Sequence, residues 1–131
     1  MRVLSPQRYV DCYGAGHYGA SRGSRTHNGV DYACYPCSKV YSPVYGEVTK
    51  LGYPYRDDLS FRYVQITTNK GYKVRVFYIE PFLALGDHVD VNTVIGESQL
   101  LGDRYPDITE HVHLEVKDPD GRFVNPKELG L

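Results

Sequence analysis

Tryptophan is absent, methionine occurs once and cysteine three times, at Cys12, Cys34 and Cys37. Three cysteines are too few for a disulfide scaffold, and their odd number leaves at least one without an internal partner. An excess of either charge is also missing. Fifteen Lys and Arg against 16 Asp and Glu give a formal net charge of -1, so bulk electrostatics points to neither a nucleic acid nor an anionic membrane surface as partner. The strongest apolar run, Val74 to Ile79, falls well short of the ~18 residues a membrane span needs. Met1 to Ala20 carries Arg2 and Arg8 with no apolar stretch behind them, so no export signal is expected in it.

What is present suits a turn-rich β domain. The 131 residues are enough for one core, and 13 Gly with 8 Pro at 41% apolar content argue against both disorder and a helical bundle. One domain over 1–131 is expected, mainly antiparallel β, with residues 1–26 as a wrapping segment of long loops. Tyrosine dominates the aromatics, 13 against four Phe, which serves either half-buried strands or a groove lined with hydroxyl-bearing rings. Lys39 to Lys50 reads as strand, turn, strand around Ser42-Pro43. Leu51 to Ser60 reads as a surface loop in which Asp57 and Asp58 are solvated charge. Phe61 to Thr68 and Tyr72 to Ile79 flank Asn69-Lys70-Gly71 and predict an antiparallel hairpin. Val94 to Gly96 and His111 to Val116 complete the strands, with Asp118-Pro119-Asp120-Gly121 as the closing turn.

The last strand alternates cleanly. Val112, Leu114 and Val116 face one way, and His111, His113 and Glu115 the other. Two imidazoles at i and i+2 can address one small site. Taken alone they fit equally an edge strand whose histidines face solvent, so a second cluster is needed. Arg25-Thr26-His27-Asn28-Gly29-Val30-Asp31, read as a loop, supplies it: His27 and Asp31 are nitrogen and oxygen donors of the kinds zinc accepts. Two ligands from there and one strand histidine would make three, leaving a fourth tetrahedral position for water, as in catalytic rather than structural zinc sites. Cys34-Tyr35-Pro36-Cys37 is a weaker candidate, because a structural zinc site wants four ligands and only Cys12 is left to join. His17 reads as a surface loop histidine, with an occluding zinc ligand as the alternative, and His88 beside Asp87 reads as a turn residue. Arg22 and Arg25 either bind a substrate carboxylate or solvate their loop.

From about Gly16 to Pro126 the sequence resembles the lysostaphin-type zinc endopeptidases, which cut peptide cross-bridges of bacterial cell walls on a compact antiparallel β fold, the duplicated hybrid motif. The resemblance rests on His27-x3-Asp31 followed far downstream by His111-x-His113, on Ser42-Pro43 through Gly46-x-Val48, and on Gly86-Asp87-x-Val89 and Ile95-Gly96. It implies His27, Asp31 and His113 as zinc ligands, with His111 off the metal and assisting the attacking water. It also implies peptidoglycan peptide as partner and a site of action outside the cytoplasm; within that reading Tyr78 and neighbouring tyrosines are candidates to line the cleft, and Arg25 is the candidate for a substrate carboxylate.

One position departs from the family pattern. Tyr-x-His, which carries a second catalytic imidazole, is here Tyr78-Ile79-Glu80, so Glu80 takes the catalytic partner position and weakened activity is expected. An ionised Glu80 would repel an oxyanion, though it could act as a general base. The segment Val76 to Pro81, with Gly16 to Arg22 and Tyr105-Pro106-Asp107-Ile108, is similar to the leukocyte-derived chemotaxin branch, regarded as noncatalytic zinc-binding modules. Two alternatives to a peptidase therefore stand. One is a zinc-braced module that recognises wall or receptor; the other is a phage tail or baseplate component that meets the wall.

Overall fold

The computed structural model describes residues 21–22, 25–26, 29–106, 108 and 110–131. Cys12, His17 and His27 lie outside these residues, as does most of the expected wrapping segment. The described strands are β1 (Ser21–Arg22), β2 (Arg25–Thr26), β3 (Gly29–Ala33), β4 (Lys39–Tyr41), β5 (Gly46–Gly52), β6 (Tyr63–Thr67), β7 (Lys73–Phe77), β8 (Ile79–Pro81), β9 (His88–Val89), β10 (Val94–Ser98), β11 (His111–Lys117) and β12 (Phe123–Val124). Two short 3-10 turns, Leu101–Asp103 and Pro126–Leu129, are the helical pieces among the described residues, and no helix there is long and apolar enough to cross a membrane.

A seven-stranded antiparallel sheet forms the frame, in the order β12-β11-β7-β6-β5-β9, with β3 also paired to β11. The expected hairpin is there: β6 and β7 pair from Tyr63 opposite Phe77 to Thr67 opposite Lys73. Its connection closes through Gly71, whose φ of +88° is open to glycine at little steric cost. A second sheet, β4-β10-β8, lies against the first. Alternation along the strands explains the packing. Val112, Leu114, Val116, Val74, Val76, Val64, Ile66 and Val48 point to the side where Val40, Ile79 and Ile95 of the second sheet meet them, and all are buried. Each such side chain contributes roughly 1.5–3 kcal/mol by leaving water.

Three expectations need correction. Asp31 is on a strand rather than in a loop, because β3 pairs along β11 from Ala33 opposite His111 to Gly29 opposite Glu115 and buries Val30 completely. Strand β11 is consequently no edge: β7 flanks it on one side, and β3 followed by β12 on the other. The end of the wrapping segment also differs from a loop, since β1 and β2 pair as a short hairpin.

Candidate metal centre

Pairing of β3 with β11 sets Asp31 directly opposite His113, and pairing of β7 with β11 sets Phe77 on His113's other side. The Asp31 carboxylate meets both strand histidines. His113 Nδ1 lies 2.6 Å from its Oδ1, and His111 Nε2 lies 3.4 Å from its Oδ2. On the far side of the ring, His113 Nε2 is 2.9 Å from Glu115 Oε1. Asp31, His111 and His113 are all buried, at 1%, 3% and 9% exposure, so the solvent-facing alternative for the histidines does not hold. Aromatic edges complete the walls: Phe77 packs on His113 at 5.2 Å between centroids and Tyr78 on His111 at 5.7 Å.

Carboxylates at both nitrogens of His113 require both to donate, which is the imidazolium form. Burial works against that charge, but the hydrogen bonds to Asp31 and Glu115 outweigh it and the ring's pKa is pushed up to about 9. The Asp31 carboxylate and the His113 imidazole are an oxygen and a nitrogen donor of the kinds zinc accepts once the ring gives up a proton. Space points the same way. A Cβ at Gly29 would stand 2.2 Å from the Leu114 carbonyl and 2.8 Å from His113 Cε1, so glycine alone leaves room for the imidazole where it lies. Among the described residues no three donors are grouped as a complete metal set; the other expected ligand, His27, lies outside them.

The remaining expected site residues are distributed as follows. Arg25 is on β2. Glu80 is on β8 in the second sheet, 54% exposed at its side chain and paired with Arg62 Nη1 at 3.8 Å; it makes no ion pair or hydrogen bond with Asp31, His111 or His113. Cys34 and Cys37 are free thiols, and burial pushes the Cys34 pKa up. Asp57 and Asp58 are not merely solvated, since both pair with Arg104, at 3.5 and 3.7 Å.

Tyr78 adjoins His111, and it has an unusual backbone. Its φ is +70°, a left-handed conformation costing of order 1–2 kcal/mol for a non-glycine residue. Its amide donates to the Arg62 carbonyl at 2.8 Å and its carbonyl accepts from the Gln99 amide at 2.8 Å. Neighbouring strand residues normally face opposite ways, yet Phe77 and Tyr78 both reach the histidine pair; the left-handed step makes that possible. Three further residues were not visible in the sequence as parts of this region: Tyr55, Tyr105 and Arg104. For the two tyrosines the one sequence signal is the excess of that residue type; Arg104 has none.

Residues 25–126 match peptidase family M23. The chain belongs to that family. Leukocyte cell-derived chemotaxin-2 of Mus musculus is 35% identical over 111 residues, which cover 85% of this chain and 73% of the relative. Among solved structures, LytU superposes with a TM-score of 0.72 at 20% identity, covering 92% of this chain and 86% of that one. The antimicrobial peptidase lysostaphin from Staphylococcus simulans gives 0.71 at 17% identity, with 96% and 50% coverage. At those identities the structures share the M23 fold, and the mainly β, antiparallel architecture expected from the sequence is the one observed. M23 peptidases are zinc-dependent and act on peptidoglycan peptides.

Proposed function

We propose that this M23 domain is a zinc metalloendopeptidase that hydrolyses peptide cross-bridges of bacterial peptidoglycan, acting outside the cytoplasm. The observation that carries the reading is the convergence of His111 and His113 on the buried Asp31 carboxylate, within a chain matched to the family over residues 25–126. Asp31 and His113, with His27, would hold zinc. Bound there, the ion supplies Lewis acidity, polarising the scissile carbonyl and lowering the pKa of water to ~7. His111 takes the proton from the attacking water and returns it to the leaving amine, while Asp31 Oδ2 orients its ring. Phe77 and Tyr78 wall the cleft, and Arg25 is assigned to a substrate carboxylate. Glu80 is more than half exposed at its side chain and paired with Arg62, so no proton transfer is assigned to it. Incubating zinc-loaded protein with purified peptidoglycan should release new amine ends, and a chelator should abolish them. No release from several wall chemistries would overturn this reading.

A second reading is a zinc-braced binding module for wall or receptor. Glu80 in the place of an imidazole and 35% identity to chemotaxin-2 of Mus musculus favour it. It requires wall retention without turnover in the same assay. A phage tail or baseplate would bring either kind of domain to the wall, and recovering the chain from purified virions tests that placement.

A further inference from the structure

Four side chains from three separate segments form a continuous polar chain that ends beside His111. Arg104 Nε donates to the Tyr105 hydroxyl at 3.3 Å, the Tyr105 hydroxyl donates to that of Tyr55 at 2.6 Å, and the Tyr55 and Tyr78 hydroxyls are 3.0 Å apart. A phenol has one proton to give, and a guanidinium has only protons to give. The outer end therefore sets the direction. With the Tyr105 proton committed to Tyr55, the Tyr55 proton goes to Tyr78, and the Tyr78 proton is left to point onward.

Both ends are anchored. Arg104 is clamped by Asp57 and Asp58, and its guanidinium lies 3.8 Å over the Tyr55 ring. Tyr78 is fixed by its left-handed backbone and by the Arg62 and Gln99 main chain, with its ring edge-on to His111. Such strain persists where surrounding structure holds it, typically at functional sites. Chains of hydrogen bonds also polarise one another, and a cation at the far end strengthens the last donor.

We propose that the Tyr78 hydroxyl, oriented through Tyr55 and Tyr105 and polarised by Arg104, donates a hydrogen bond to the scissile carbonyl oxygen of the peptide substrate as negative charge gathers there. This rests on the peptidase reading and gives it the donor that a second imidazole would otherwise supply. Tyr78 is then a catalytic residue, and Tyr55, Tyr105 and Arg104 are positioning residues. Burial keeps the phenol protonated, its pKa pushed up to about 12, so it remains a donor throughout the neutral range.

The test uses the zinc-loaded chain, a cross-bridge peptide, and the phosphinic analogue in which a tetrahedral phosphinate replaces the scissile amide. Tyr78→Phe should lower kcat about 100- to 1000-fold with KM and zinc content nearly unchanged, the usual effect of removing one oxyanion donor. It should also weaken phosphinic peptide binding, measured by calorimetry, by about tenfold or more. Tyr55→Phe, which keeps the ring and the Tyr78 hydroxyl, should give a smaller loss of kcat at constant KM. Wild-type kcat and phosphinate Kd in Tyr78→Phe, with zinc retained, would overturn the donor. A wild type that binds zinc and phosphinate without cleaving the amide overturns the peptidase reading alone; phosphinate affinity then decides the donor, a loss in Tyr78→Phe supporting it and equality overturning it. A wild type that binds neither overturns both.

Discussion

Asp31 and His113 are direct cross-strand neighbours on β3 and β11, and their side chains meet at 2.6 Å between Oδ1 and Nδ1. The sheet itself, rather than a flexible loop, sets the distance between these two groups.

Removing either partner should empty the proposed metal site. Asp31→Ala and His113→Ala are expected to bind well under one zinc per chain, against about one for the wild type, measured by atomic emission after gel filtration. His113 in the metal-free protein keeps its extra proton up to a pH of about 9. Zinc uptake at neutral pH should therefore release protons, and calorimetric enthalpies should depend on the buffer's ionisation heat. Equal enthalpies in phosphate and Tris would contradict this.

Gly29→Ala should act on stability and metal together. Its methyl group would meet the Leu114 carbonyl, which cannot rotate away, and the His113 ring. Overpacking of this kind costs about 1–3 kcal/mol. Urea denaturation should show that loss and zinc analysis reduced occupancy; a fully loaded variant of wild-type stability would mean that β3 shifts freely.

Glu80→Ala should be nearly silent. The side chain is more than half exposed and its ion pair with Arg62 is a surface one. Such pairs contribute about 0–1 kcal/mol. Midpoint and turnover should stay close to wild type. A tenfold fall in kcat with unchanged stability would place Glu80 in the chemistry after all.

Alkaline titration should find two reluctant tyrosines. Burial raises the pKa of both, Tyr78 to about 12 and Tyr55 further. A phenol whose folded pKa lies above its unfolded value of 10.0 favours the native state most fully below pH 10, and that contribution is lost as pH rises through 12. Absorbance at 295 nm should show Tyr78→Phe and Tyr55→Phe losing only late-titrating signal. Loss of early-titrating signal would contradict the burial.

Much of the frame was legible because its signals are local. Asn69-Lys70-Gly71 between two β-branched runs specifies the β6–β7 hairpin, and the alternation from His111 to Val116 correctly separates the apolar side of β11 from the polar one. Strand β3 was hidden. Gly29 and Asp31 are poor strand formers, and only burial of Val30 against β11 overrides that preference. The tyrosine chain was hidden for another reason: positions 55, 78 and 105 share no period, and they meet because the loops after β5 and β10 fold over the end of β7. Spacing alone aligned Glu80 with the family's imidazole, but its surroundings were not legible: its side chain is 54% exposed and pairs with Arg62.

Along β11, residues that hold the domain together and residues that face the proposed substrate take turns, one after another. The histidine side is itself buried and tied to Asp31 and Glu115, so a substitution there leaves a charged partner stranded away from water.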